Sequence, residues 1–222
     1  MPEIELIETG DGSHSLLNVA LNETYHSRHG AVQESLYVFI KQGLDFYAGQ
    51  HQGDNIHILE VGFGTGLNAW LSFQYATKHN VLIHYSSLET YPLPKTLWMQ
   101  LAYASEDNRK HFNDLHEAVW NEEVKLDPYF TLHKREESLQ QFQTQANQYN
   151  IIYFDAFAPN KQPELWELPV LKHVVNMLAP GGVFVTYCAK GQLKRDLKSL
   201  NLEVESLPGP PGKREMLRAT KK

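Results

Sequence analysis

Apolar residues cluster in short runs separated by stretches of helical spacing, and this alternation persists along most of the chain. Residues 56–61 and the segment Ile151-Ile152-Tyr153-Phe154 are near-continuous apolar runs, the pattern of central parallel strands covered on both faces. Runs at 82–88, 129–133 and 183–187 predict further strands. Helical spacing between them predicts helices at about 67–77, 95–104, 138–146, 169–177 and 192–200, with an amphipathic piece at 111–120. The helix at 169–177 is expected to stop at Ala179-Pro180-Gly181-Gly182. Ahead of this series, Ile4-Glu5-Leu6-Ile7 alternates as an edge hairpin does, and Leu36, Phe39 and Ile40 set out a helical face over 34–42. Residues 204–207 and 215–219 form a closing strand pair. Strands alternating with helices predict a doubly wound α/β domain over residues 51–222, with residues 1–50 an N-terminal extension packed on it.

In such a sheet, ligands bind beyond the carboxyl ends of the strands, near the point where strand order reverses. That directs attention to the stretch Glu60-Val-Gly-Phe-Gly-Thr-Gly-Leu-Asn68, a buried strand running through a glycine-rich turn into a helix. Glycine at 62, 64 and 66 permits a tight turn and close backbone approach to a ligand, with free N–H groups at the start of the helix. A dinucleotide loop spaces its glycines G-x-G-x-x-G, so the alternating pattern disfavours an NAD dehydrogenase. The pattern suits S-adenosylmethionine (SAM), whose amino-acid end offers an ammonium and a carboxylate. Gly62, Phe63, Gly64, Gly66, Leu67 and Asn68 are then the candidate cradle, with Glu60 the acceptor for the ammonium. Glu89 ends the next strand, where an acidic side chain accepts from both ribose hydroxyls. Tyr91 and Leu93 follow, placed either to flank an adenine ring or to pack in the core. Asp155 ends the most apolar strand and faces the crevice beside the glycine loop, where partial burial raises its pKa toward a proton acceptor's range.

Composition narrows the class. Hydrophobic residues make up 42% of the 222, enough for a substantial core, and no apolar run approaches membrane-spanning length. The opening Met-Pro-Glu-Ile-Glu lacks the basic and apolar regions of a signal peptide. A single cysteine, Cys188, excludes an intramolecular disulfide framework and fits a reducing compartment, so a soluble cytoplasmic protein is expected. The net charge of −6 is unevenly spread: from Lys190 onward nine basic residues face four acidic ones, a net +5 that leaves −11 for the rest. Such asymmetry fits either a phosphate-binding face on an acidic body or a solvated tail. The eleven histidines show no metal-ligand spacing and no Gly-x-Ser-x-Gly elbow occurs, so neither metal-dependent nor covalent catalysis leads.

Five segments occur here in one order: Gln33-Glu34-Ser35-Leu36-Tyr37-Val38-Phe39, the glycine loop, Ser87-Leu-Glu-Thr-Tyr-Pro-Leu93, Phe154-Asp-Ala-Phe-Ala-Pro-Asn-Lys161 and Gly212-Lys-Arg-Glu-Met-Leu217. Together they resemble the SAM-dependent methyltransferase domain of the MnmC family, bacterial proteins of tRNA 5-methylaminomethyl-2-thiouridine biosynthesis, and the resemblance covers nearly the whole chain. It implies a Rossmann-like class I SAM-dependent methyltransferase fold with an antiparallel last strand. It also implies N-methylation of the aminomethyl group of 5-aminomethyl-(2-thio)uridine at the tRNA wobble position. In many bacteria that domain is fused to a flavin-dependent oxidase, and this chain resembles the stand-alone form, acting after a separate enzyme that supplies the aminomethyl-uridine. On the same ground Asp155 is the catalytic residue, Glu34, Lys213 and Arg214 bind substrate, the two cations against tRNA phosphate, and no metal or membrane is implied. Where the family usually has Gly-Asp after the third strand, this chain has Arg135-Glu136, and Glu136 is expected to accept from the adenine amino group.

Two other readings stay open at the level of sequence. One is a methyltransferase or aminopropyltransferase acting on a small-molecule amine. Polyamine synthases of that fold typically carry a further acidic residue just after the aspartate, where this chain has Ala156-Phe157-Ala158-Pro159. The other is a non-catalytic nucleotide- or RNA-binding module, which predicts SAM affinity without turnover.

Overall fold

The computed structural model describes residues 3–222, so Met1 and Pro2 of the opening segment lie outside the described residues. An N-terminal antiparallel sheet joins β1 (Ile4–Glu8), β2 (His14–Asn18) and the two-residue β3 (Glu23–Thr24). A helix over 31–50 follows in three continuous parts: α1 (Ala31–Ser35), wider π-helical turns (Leu36–Asp45) and α2 (Phe46–Gln50). It buries Val38, Phe39 and Leu44 in the same core as Ile58, Tyr85 and Tyr153 of the main sheet.

The main sheet has eight strands. In chain order these are β4 (Ile56–Val61), β5 (Ile83–Leu88), β6 (Glu123–Asp127), β7 (Phe130–Arg135), β8 (Tyr149–Phe154), β9 (Leu178–Thr186), β10 (Leu202–Pro208) and β11 (Glu215–Lys221). Their spatial order is β10-β11-β9-β8-β4-β5-β7-β6. The strands β9, β8, β4, β5 and β7 run parallel, while β11 is antiparallel to both β9 and β10. Helices cover both faces, as period-two burial on each strand requires. On one side α3 (Leu67–His79), α5 (Arg109–Glu117) and the 31–50 helix bury Trp70, Phe112 and Phe39. On the other, α6 (Leu168–Met177) and α7 (Gly191–Ser199) bury Leu171, Val174, Leu193 and Leu197. Strand order reverses between β4 and β8, which sets Gly62 and Asp155 side by side at the carboxyl edge. None of the helices described is long and apolar enough to cross a membrane.

Three expectations are corrected. The helix expected at 95–104 is only the single turn α4 (Lys95–Trp98), after which the chain breaks to bury Leu101. Residues 138–146 are turns and irregular chain, not a helix: Leu139 and Phe142 are buried, but the rest is Gln-rich and gives no continuous apolar stripe to hold a helix on the sheet. Strand β6 lay unpredicted, because an edge strand of alternating charge, Glu-Val-Lys-Leu-Asp, carries little apolar signal. In addition, β9 begins at Leu178 and runs through the expected stop at 179–182, with a register shift opposite Tyr149–Ile151.

Candidate functional site

At the switch point lies a cavity of about 770 Å³, within the range that encloses a cofactor-sized ligand. Its floor is the glycine loop. Gly62 turns at φ +93°, and a Cβ there would stand 3.0 Å from the carbonyl oxygen of Asp155. Gly64, at φ +48°, lies under the Tyr25 ring, 3.0 Å from where its Cβ would be. Both positions demand glycine twice over, for the left-handed backbone and for the close neighbour. Phe63, Thr65, Leu67 and Asn68 complete this wall.

The Glu89 carboxylate accepts one hydrogen bond from the Gly64 N–H and another from the Tyr91 N–H, each 2.9 Å. It therefore stands at the cavity edge with its oxygens oriented by the loop it serves. Tyr91 beside it is 73% exposed, while Leu93 packs against the core.

Asp155 borders the cavity at the end of β8. Its Oδ2 accepts from Asn68 Nδ2 at 2.8 Å. Removal from water pushes its carboxyl up to about 7, reinforced by the nearby Glu34 charge and opposed by Asn68 and Lys213. Glu34 is buried, takes the Ser27 N–H at 2.9 Å, and pairs with Lys213 Nζ at 2.5 Å. The Lys213 ammonium also lies 3.7 Å from the Tyr187 ring centre. Three elements far apart in sequence thus converge: the 31–50 helix, the β8 end and the loop before β11.

Four expected site residues lie elsewhere. Glu60 stands behind the wall, not in it, because period-two alternation sends Leu59 and Val61 to one face of β4 and Glu60 with Ile58 to the other. Gly66 turns the chain into α3 against His116 and does not border the cavity. Glu136 is also outside the wall, its N–H spent on Asn121 Oδ1 at 3.0 Å, and Glu137, Ser138, Leu139 and Gln140 line that side instead. Strand β7 runs on to Arg135, which pairs with Glu137 at 3.5 Å, so the wall begins one residue later than expected. Arg214 is exposed and outside the cavity, whereas Lys213 points inward to Glu34 and is not free to meet phosphate.

The C-terminal basic cluster is likewise not a free patch. Arg218 is buried against Phe46 and paired with Glu205, Lys194 pairs with Glu215, and Lys221 donates to the carbonyls of Val175 and Leu178. Lys190, Lys198 and Arg214 remain exposed.

Several lining residues carried no usable local signal. Tyr25 and His26 come from the polar N-terminal segment. Tyr25 packs edge-on to Phe157, ring centres 5.1 Å apart, and buried His26 Nε2 meets Thr65 Oγ1 at 2.7 Å. Burial holds His26 neutral, down to about 4. Lys161 Nζ ties the loop after Asp155 to the same segment through the carbonyls of Leu21 (2.8 Å) and Asn22 (3.3 Å). Tyr187 follows β9 directly, a strand-end position like those of Glu89 and Asp155. Behind the loop, Lys134 is buried over the Phe63 and Trp120 rings and donates to the His116 carbonyl, and burial lowers it to about 8.

The glycine cradle and the Glu89 carboxylate fit the donor and acceptor needs of SAM: backbone N–H groups for a carboxylate and a carboxylate for a ribose. Comparison with known proteins agrees. A family model described as S-adenosyl-L-methionine-dependent methyltransferase matches residues 96–222. The tRNA 5-methylaminomethyl-2-thiouridine biosynthesis bifunctional protein MnmC of Pseudomonas fluorescens (strain Pf0-1) is 29% identical over 211 residues, covering 89% of this chain and 32% of that protein. The protein of the same name from Aromatoleum aromaticum is 29% identical over 225 residues, covering 95% of this chain and 34% of its own. The chain thus spans about a third of the length of these curated relatives. The crystal structure of MNMC2 from Aquifex aeolicus superposes with a TM-score of 0.83 at 25% identity, covering 100% of this chain and 71% of that one.

Proposed function

The chain belongs to the S-adenosyl-L-methionine-dependent methyltransferase family, and from that premise we propose that it N-methylates the aminomethyl group of 5-aminomethyl-(2-thio)uridine at the tRNA wobble position, giving 5-methylaminomethyl-(2-thio)uridine. The observation that carries the reading is Asp155, a carboxyl at the cavity beside the glycine loop with one oxygen held by Asn68. SAM, when bound, supplies a methyl group on a positively charged sulfur. The chain supplies alignment and a proton acceptor.

An alkylamine is mostly protonated at neutral pH and attacks only when neutral. The Asp155 carboxyl, pushed up to about 7, takes a proton near working pH, and the oxygen not held by Asn68 is the one free to take it. Gly62 and Gly64 present backbone to the cofactor, Phe63, Leu67 and Asn68 shape its wall, and Glu89 takes its ribose hydroxyls. Tyr25, Phe157 and Tyr187 offer aromatic surface on which a splayed nucleobase stacks. Glu34 and Lys213 orient the substrate next to Asp155, and exposed Arg214, on the same loop, contacts tRNA phosphate. The reading implies a cytoplasmic enzyme following a separate enzyme that makes the aminomethyl-uridine. It treats residues 1–50 as an extension packed on a catalytic domain of 51–222, supported by the core that the 31–50 helix shares with β4 and β8.

The test is methyl transfer from labelled SAM to bulk tRNA lacking the final methyl, followed by nucleoside analysis. Label in 5-methylaminomethyl-uridine or its 2-thio form is expected. SAM binding without label in tRNA would overturn the substrate assignment and direct the search to small amines.

A further inference from the structure

Two groups on the cavity wall that attract cations, Glu34 and Tyr187, are both taken up by the chain itself. The Glu34 side chain is only 6% exposed. Its Oε1 accepts the Ser27 N–H at 2.9 Å, and its Oε2 stands 2.5 Å from Lys213 Nζ with no other partner among the described residues. The same ammonium lies 3.7 Å from the centre of the Tyr187 ring, a cation held on an aromatic face. That ring is fixed from its far end, where the hydroxyl donates to the Ala156 carbonyl at 2.8 Å, one residue from Asp155. A buried carboxylate and an anchored aromatic face make a seat for a primary ammonium, and Lys213 fills it. Lys213 is also free to leave. Its side chain is 29% exposed and rides on a flexible four-carbon stem. The backbone beneath is pinned, with the Lys213 N–H on the Pro210 carbonyl at 2.9 Å and the Gly209 N–H on the Arg214 carbonyl at 3.1 Å. The movement available is therefore the side chain's, from the seat outward to where Arg214 stands exposed.

We propose that the Glu34–Tyr187 seat receives the substrate's own ammonium and that Lys213 guards it, filling it in the free chain and leaving when RNA phosphate offers it a partner beside Arg214. The proposal rests on the reading of the substrate as an aminomethyl-uridine of tRNA. The aminomethyl arm carries the same group as Lys213, a primary ammonium on a methylene carbon, so the two compete for one place. The charges of Glu34 and Lys213 both act on Asp155, so an ammonium seated there lies beside the carboxyl that takes its proton. A free amine has to displace Lys213 unaided. An amine carried on RNA brings the anions that draw the lysine out, so binding of the correct substrate opens the site. The guard discriminates by what the amine is attached to, and it spares small amines of the same chemistry.

The test compares wild type, Lys213→Ala and the double variant Lys213→Ala with Glu34→Gln in methyl transfer from labelled SAM. Two acceptors are used, tRNA lacking the final methyl and the free nucleoside 5-aminomethyluridine, with SAM affinity followed by calorimetry. Lys213→Ala should raise kcat/KM for the nucleoside by about tenfold or more and lower the preference for tRNA over nucleoside by at least as much, with SAM affinity within about threefold. The double variant should lose that gain, because the seat needs its carboxylate. n-Butylammonium, the lysine side chain as a free ion, should compete with the nucleoside in Lys213→Ala and leave wild type unaffected at the same concentration. Unchanged nucleoside turnover in Lys213→Ala, or a fall on both acceptors, would overturn the proposal; the second is what a structural or substrate-orienting lysine gives. Should the double variant fail to fold, the two acceptors and n-butylammonium still decide. A wild type idle on tRNA, with the Lys213→Ala gain on the nucleoside still seen, would sink the tRNA assignment and leave the seat standing.

Discussion

Asp155 combines two environments that rarely coexist, a wall that excludes water and an opening to the cavity. In the fold its carboxyl keeps a proton up to about pH 7, against 3.8 for the unconstrained side chain. Between those values the native chain binds more protons than the unfolded one, so this group's contribution to stability falls as pH rises through the window and stays low above about 7. Asp155→Asn removes that penalty. Its melting temperature should exceed the wild type's at about pH 8, and the difference should vanish near pH 4, as scanning calorimetry would read. The same substitution should cost about 100-fold or more in turnover while SAM binding persists. A variant that is more stable and inactive is the signature of a group kept for chemistry.

The glycine loop and the N-terminal segment behave as one element, since Tyr25 roofs Gly64 and His26 meets Thr65. Gly64→Ala forces a side chain into a left-handed turn, a cost of about 1–2 kcal/mol, and drives its Cβ into the Tyr25 ring. Calorimetry should show SAM affinity down by about tenfold or more with the rest of the fold intact; unchanged affinity would remove the loop from the cofactor site. His26 supplies a second element-scale test. Its folded pKa, about 4, is below the ordinary 6.5, so the unfolded segment takes up protons first as pH falls. The stability that His26 contributes is full above about 6.5 and is lost toward 4. Hydrogen exchange over residues 14–27 should therefore accelerate at about pH 5, and His26→Gln should flatten that response.

On the scale of the molecule, the chain is acidic, with a net charge of −6, and few of its C-terminal cations are free. Much of the C-terminal positive charge is tied down by Glu34, Glu205, Glu215 and backbone carbonyls. Arg214→Ala should weaken tRNA binding and lower the slope of log K against log salt by about one, whereas an unchanged slope would exclude a phosphate contact. The core is equally collective. Val38, Phe39 and Leu44 pack with Ile58, Tyr85 and Tyr153, so a chain lacking residues 1–50 should fail to give a cooperative melting transition.

By itself the sequence determined the sheet's central strands, the glycine turn and the acidic strand ends, because each follows from local apolar runs and from backbone conformations only glycine tolerates. Residues 56–61 and the run at 151–154 read as buried strands, and the structure has β4 and β8 there. Tertiary structure alone decided which polar residues meet. Glu60 and Glu136 looked like cavity residues from their place at strand ends, yet strand alternation and the extension of β7 to Arg135 turned them away. Tyr25, His26 and the Glu34–Lys213 pair carried no local pattern. They meet at the cavity through contacts between segments as many as 179 residues apart in the chain, Glu34 to Lys213, which periodicity and propensity do not encode. The missing helix at 138–146 has the same cause: whether a weak amphipathic stretch stays helical depends on the surface it is given to cover.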